Sequence, residues 1–299
     1  MRSVAQLMDL TGRRALVAGG AGHLGSASAE ALVELGARVG ILDLDAAACR
    51  AQAEALGRIR PHSAVPIACD LRDERRTREA VHAAVDALGG LDILIHCVAH
   101  TGATAGTGWS VPFAQQTVEA WDTALRVNLT SAFILAQESQ AALAASGRGA
   151  MILFGSIYGV VGPDWSLYAQ TPMINPVGYG ASKGGLLELT RYLSTLLAPR
   201  VRVNAISPGG VLRGQPQVFQ DRYVARAPLG RMAVEEDLKG AVAYLASDLS
   251  AYVTGQNLIV DGGHTLSTWT IPLERSLAPR IDPAGEIREL KSELSARGI

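Results

Sequence analysis

Tyr179 and Lys183 stand four residues apart in YGASK. Four residues is about one turn of helix, so both side chains would project from one face. A phenol ordinarily gives up its proton at a pH of about 10, but an adjacent ammonium favours the phenolate and makes the group usable as an acid or base near neutrality. Ser156 closes the run MILFGS, where a hydroxyl at the end of a strand can hydrogen-bond a reacting oxygen and its developing negative charge. Asn128, in RVNLTSAF, is a mediocre helix former inside a helical stretch. Its amide needs a polar partner there, for example a water leading from Lys183 to solvent. Taken alone, a YxxxK pair is common by chance and reads better as a surface helix pair. The four residue types in order point to proton transfer at a hydroxyl or carbonyl oxygen.

The elements that must position them alternate short apolar runs with longer Ala/Leu-rich stretches of helical spacing, the pattern of repeated βα units. Strands are expected at 13–19, 37–43, 64–69, 91–98, 149–155, 201–206 and 256–260. Helices are expected at 26–36, 46–57, 73–88, 117–146, 179–198, near 215–225 and at 235–246. Nearly continuous apolar strands such as LDILIHCVA imply burial on both faces, hence a doubly wound, parallel, seven-stranded α/β sheet with helices on each side. Composition shifts only at about 265, after VDGG, so residues 1–264 read as one catalytic unit. Residues 265–299 then form an extension with a helix at 284–296, either a solvated surface helix or an arm on a neighbouring subunit.

Gly19, Gly20, Gly22 and Gly25 fall on the turn between the first strand and first helix. Glycine there lets the chain bend and the backbone approach a diphosphate, with the helix amino terminus facing the anion. Asp43 closes the second strand, where a carboxylate accepts both ribose hydroxyls of an adenosine and repels a 2′-phosphate. NAD(H) is therefore favoured over NADP, unless Arg38 or Arg50 swings toward Asp43. Leu24 and Leu71 border the same edge. Asp70 either holds the adenine amino group or caps the following helix. A cationic nicotinamide ring beside Tyr179 would favour the phenolate further.

With 27 Lys+Arg against 28 Asp+Glu in 299 residues, there is no basic excess for a nucleic acid or an anionic membrane. Cys49, Cys69 and Cys97 are too few and too scattered for a disulfide framework or metal knuckle. No apolar run has signal-peptide or membrane-span character. A cytoplasmic enzyme with a small-molecule substrate is expected. His96 and Cys97 would point to opposite faces of a strand, so HCVAH is not read as a metal site.

The chain resembles the short-chain dehydrogenase/reductase family over roughly residues 8–264, on AGGAGHLG (18–25), CDL (69–71), VNLTSAF (127–133), FGSIYG (154–159), YGASK (179–183), VRVNAISPGG (201–210), PLGRM (228–232) and VTGQNLIVDGG (253–263). The resemblance implies a Rossmann fold and a catalytic tetrad of Asn128, Ser156, Tyr179 and Lys183. It also implies Lys183 on the nicotinamide ribose, Pro208, Gly209 and Val211 beside the nicotinamide, Val98 along the cofactor, and a homotetramer or homodimer. Two segments depart from the family pattern. Ala18 and His23 stand where it has Thr and a glycine, and His23 either contacts a phosphate or fills space. Residues 96–99 (HCVA) replace Asn-Asn-Ala-Gly.

Ser156 and Tyr179 lie 23 positions apart, farther than the family's usual spacing, so GVVGPDWSLYAQTPMINPVG is an insertion above the proposed site. Its three prolines restrain it, and Trp165, Tyr168, Asp164 and Asn175 offer a stacking face with polar groups. It serves either a polyhydroxylated substrate or an oligomer contact. Tyr158, Trp165 and Gly210 join Ser156 and Tyr179 as substrate contacts. Loops near 100–116, with Trp109, and 211–227 would complete the pocket, and Arg213 or Arg222 could meet a phosphate or carboxylate. SIYGVVGPD with SPGGV…PLGRM also resembles oxidoreductases of bacterial surface-sugar and flagellin-glycan biosynthesis. The expected function is an NAD(H)-dependent interconversion of a secondary alcohol and a ketone on a sugar-like substrate. A sugar epimerase or dehydratase with tightly bound NAD, and a non-catalytic NAD sensor, are the alternatives.

Overall fold

The computed structural model describes residues 1–100 and 106–266, so the proposed helix at 284–296 lies outside the described residues. Seven strands form one sheet: β1 (Arg14–Ala18), β2 (Arg38–Asp43), β3 (Ala64–Ala68), β4 (Ile93–His96), β5 (Gly149–Phe154), β6 (Val201–Pro208) and β7 (Asn257–Val260). Their order is β3-β2-β1-β4-β5-β6-β7, and every pairing is parallel. The order reverses between β1 and β4, which opens a crevice at their carboxyl ends.

The helices are α1 (Val4–Met8), α2 (His23–Glu34), α3 (Ala46–Ile59), α4 (Glu74–Leu88), α5 (Val118–Leu125), α6 (Ser131–Ala145), α7 (Trp165–Tyr168), α8 (Val177–Leu197), α9 (Gln217–Val224) and α10 (Lys239–Ala246). Strand alternation sorts the core into two layers. Ala15 and Val17 of β1 pack with residues of α2, α3 and α10 on one face. Leu16 and Ala18 pack with α4, α6 and α8 on the other. The sheet is thus sandwiched between helices and buried on both faces, as its unbroken apolar runs require.

Besides α1 and α7, which were not expected, three elements differ in bounds or kind from the sequence expectation. First, α2 begins at His23 with Gly22 as its N-cap rather than at 26. The glycine turn therefore runs straight into the helix, and His23, Leu24 and Gly25 form its first turn. Second, the long helix expected over 117–146 is split by a π-helical stretch at Arg126–Thr130, which carries Asn128. A π-turn inserts an extra residue into the helical ladder, a distortion that periodicity does not reveal. Third, the 235–246 helix opens as a 3₁₀ turn at Glu235–Leu238 before α10.

Candidate active site

The glycine turn is fixed by backbone contact. Gly19 has φ +76°, and a Cβ there would lie 3.0 Å from the Cys97 carbonyl carbon. A Cβ on Gly25 would sit 1.9 Å from the Gly19 carbonyl oxygen. Only glycine allows this close fold, which turns the first N–H groups of α2 toward the crevice. Asp43, at the end of β2, accepts hydrogen bonds from the Ala21 N–H at 3.1 Å and the Leu44 N–H at 2.7 Å. Its carboxylate is thereby held against the same turn.

Two clefts meet here. One, of about 400 Å³, is lined by Gly19, Gly22, His23, Leu24, Gly25, Asp43, Val98, Ser156, Tyr179, Lys183, Pro208, Gly209 and Val211 among others. The other, of about 650 Å³, shares Gly19, Asp43 and Val98 and continues along Asp70 and Leu71. A trough that runs from an acid at one end to a phenol and an amine at the other, floored by bare backbone, has the form of a dinucleotide cradle. Asp70 is gripped by Arg72, with bonds of 2.7–3.0 Å, and also accepts from the Arg72 N–H. These contacts hold its carboxyl below the usual carboxylate range. Arg38 lies at the other end of β2 from Asp43, and Arg50 lines a separate surface hollow against β3. Neither stands beside Asp43 in either cleft.

Tyr179 lies in the first turn of α8 and Lys183 one turn on, as the spacing predicts. The Lys183 side chain is 2% exposed and its Nζ donates to the Phe154 carbonyl at 2.7 Å. The same Nζ stands 5.8 Å from the centre of the Tyr179 ring. Burial brings the Lys183 ammonium down to about 8. Burial also raises the Tyr179 phenol above its ordinary value, against a hydrogen bond with Ser156 and the charge of Arg213, both of which lower it. The protein's own groups therefore do not acidify this phenol on balance. Ser156 is buried at the end of β5 in extended conformation, and its Oγ accepts from the Tyr158 N–H at 3.2 Å. The turn 157–159 lies so close to α8 that a Cβ on Gly159 would meet the Lys183 backbone at 2.8 Å.

Asn128 is fully buried and both ends of its amide are used. Its Oδ1 accepts from the His100 N–H at 2.5 Å, and its Nδ2 donates to Ser182 Oγ at 2.9 Å. It thus ties the segment after β4 to α8, and no direct bond joins it to Lys183. His96 and Cys97 do face apart: His96 Nε2 meets Ser131 Oγ at 2.8 Å, whereas Cys97 Sγ lies 3.8 Å from Ser28 Oγ. Burial takes His96 down to about 3 and Cys97 up to about 12, so neither is charged near neutrality. Among the described residues no cluster of three His, Cys, Asp or Glu side chains could hold a metal.

The insertion is a folded lobe. Asp164 caps α7 through the Ser166 N–H at 2.9 Å and pairs with Arg226 at 2.5 Å. Leu167 packs with Phe219, Tyr223, Ala227 and Met232. Tyr158 and Tyr168 hydroxyls meet at 2.5 Å, and Asn175 Nδ2 donates to Tyr168 at 3.4 Å. Trp165 is 58% exposed beside Tyr168, and neither it nor Tyr158 is among the residues lining the two clefts. Gly210 lines a smaller hollow behind Tyr223, whose hydroxyl accepts from the Gly210 N–H at 2.6 Å. Trp109 is buried edge-on against His100, with ring centres 4.8 Å apart, and packs beside Tyr179. Gln215, one of the 211–227 loop residues expected with Gln217 to complete the pocket, does line the cleft, as does Ala99, which sequence reading noted only as part of the HCVA departure.

The fold and this trough define a dinucleotide-binding oxidoreductase. A family model described as enoyl-(acyl carrier protein) reductase matches residues 19–265. The chain is 34% identical over 259 residues to cis-4-hydroxycyclohexanecarboxylate dehydrogenase of Sinomonas cyclohexanicum, covering 85% of this chain and 96% of that protein. It is 31% identical over 264 residues to D-threitol dehydrogenase of Mycolicibacterium smegmatis, covering 86% and 94%. The crystal structure of NADPH-dependent 3-quinuclidinone reductase from Rhodotorula rubra superposes with a TM-score of 0.78 at 28% identity, covering 89% of this chain and 96% of that one. The chain belongs to the short-chain dehydrogenase/reductase family. It is an oxidoreductase of the alcohol/ketone type that works with a nicotinamide dinucleotide. Among the described residues no helix is long and apolar enough to cross a membrane.

Proposed function

We propose that this chain is an NAD(H)-dependent dehydrogenase/reductase that interconverts a secondary alcohol and a ketone on a polar, sugar-like substrate. The single observation that carries the reading is that Ser156, Tyr179 and Lys183 line the same cleft as the glycine turn and Asp43. When bound there, the nicotinamide supplies the hydride acceptor or donor and, oxidised, a positive charge beside the phenol. Tyr179 takes the hydroxyl proton in oxidation and returns it to the carbonyl oxygen in reduction. Ser156, already bonded with the phenol, steadies the substrate oxygen as charge develops on it. Lys183 holds the ribose side of the cofactor and adds charge near the phenol, and Asn128 positions α8 through Ser182. Burial holds the phenol above its ordinary value, and an oxidised ring bound beside it would add a positive charge that favours the phenolate in the oxidation direction.

Asp43 supports NAD over NADP, because a 2′-phosphate would bring two negative groups together, and Arg72, which lines the same cleft, is already paired with Asp70. The polar, aromatic insertion and the polyol named in the D-threitol relative support a hydroxylated substrate. Residues 1–264 form the catalytic unit in this reading, and a dimer or tetramer is its expected assembly. A screen at 340 nm with NAD and NADP against polyols, sugar acids and sugar phosphates tests the proposal. Absorbance should rise with NAD and at least one of these alcohols. Product formed without net NADH would instead favour an epimerase or dehydratase.

A further inference from the structure

Arg213 is a cation lining the catalytic cleft with four of its five N–H donors unspent among the described residues. It lines the cleft together with Ser156 and Tyr179. Its Nε donates to Glu235 Oε1 at 3.2 Å, and neither terminal nitrogen has a hydrogen-bond partner among the described residues. Its position is built: Gln215 accepts from the Arg213 N–H at 2.7 Å and donates to the Val211 carbonyl at 2.7 Å, so one amide braces both ends of the loop. The same Glu235 oxygen lies 3.6 Å from His23 Nδ1. The Nε side of the guanidinium is therefore taken up by Glu235, and the Nη1–Nη2 edge is the other side. That edge is the planar fork that fits two oxygens of a carboxylate or phosphate. Arg222, the other arginine of this loop considered for an anion, donates to the Ala169 carbonyl and lines neither cleft.

We propose that Arg213 is the specificity residue of this site and that the preferred alcohol carries an anionic oxygen group, a carboxylate or a phosphate. The inference rests on the oxidoreductase reading above and narrows its substrate class. Three probes with one hexitol skeleton separate the sources: gluconate, sorbitol 6-phosphate and neutral sorbitol. With NADH-loaded protein, calorimetric titration reads the anion site without turnover. Gluconate or sorbitol 6-phosphate should bind more tightly than sorbitol, and R213Q should weaken that acid by roughly 10- to 100-fold while sorbitol changes less than about twofold. The acid that responds identifies the group. In turnover the loss should fall on KM rather than kcat. NADH affinity, read by fluorescence, should be the same in both proteins. Equal acid binding in wild type and R213Q, or no binding of either acid, overturns the proposal. Weakened NADH binding in R213Q also overturns it, because the fork would then serve the cofactor's diphosphate. If the acids bind through Arg213 yet no alcohol reduces NAD, the anion site stands and the oxidoreductase reading fails.

Discussion

The two ends of the trough are built by different means. At the dinucleotide end the backbone does the shaping: Gly19 and Gly25 approach neighbouring main chain too closely for any side chain, and Asp43 is fixed by two backbone N–H groups. At the substrate end side chains do it. The insertion is held by the Tyr158–Tyr168–Asn175 hydroxyl and amide contacts, by the Asp164–Arg226 pair and by packing on α9. A backbone-built site tolerates almost no substitution at a few positions, whereas a side-chain-built one spreads its determinants over many contacts of small individual worth.

This contrast can be broken at chosen points. The largest effect is expected at Gly25→Ala, whose methyl group would lie 1.9 Å from one main-chain oxygen and 2.9 Å from the Gly20 Cα. The turn must move, and NADH binding measured by fluorescence quenching should weaken by more than about 100-fold. Asp43→Asn keeps an acceptor for the Ala21 N–H but removes the charge. The ratio of kcat/KM for NAD over NADP should fall by about tenfold or more; an unchanged ratio would show that Asp43 does not read the ribose. On the substrate side, Tyr223→Phe strips the half-buried Gly210 N–H of its acceptor. Unfolding in urea should show a loss of about 1–3 kcal/mol, with a smaller effect on NADH affinity than either change above.

A further test concerns the altered segment after β4. His96 has its folded pKa lowered to about 3 from an ordinary value of 6.5. Below pH 6.5 the unfolded chain binds a proton that the native state refuses, so stability falls as pH drops toward 3. Between pH 6.5 and 5 one such group costs about 2 kcal/mol. His96→Asn should flatten the decline of the urea midpoint over that interval, and an equally steep decline would assign it to other groups.

Legibility in the sequence follows the same division. The strands, their parallel pairing and the glycine turn were readable because period, punctuation and glycine placement are backbone properties. Tyr179 and Lys183 were readable because helical spacing fixes their common face. The π-stretch around Asn128 was not, since one inserted residue leaves the apolar pattern of 117–146 intact. Nor was the partner set of Asn128, because His100 and Ser182 come from segments distant in sequence. Trp165 illustrates the remaining gap. Its aromatic character suggested a stacking face, but the cap at Asp164 and the burial of Leu167 turn α7 so that Trp165 stands exposed.

The most direct measurement concerns Tyr179→Phe, which keeps the ring and removes only the ionisable oxygen. Turnover at 340 nm and NADH binding should be recorded on the same preparation. Loss of kcat by about 100-fold or more, with NADH affinity within about twofold of wild type, is the predicted outcome. Undiminished turnover by the phenylalanine variant would contradict proton transfer through this phenol.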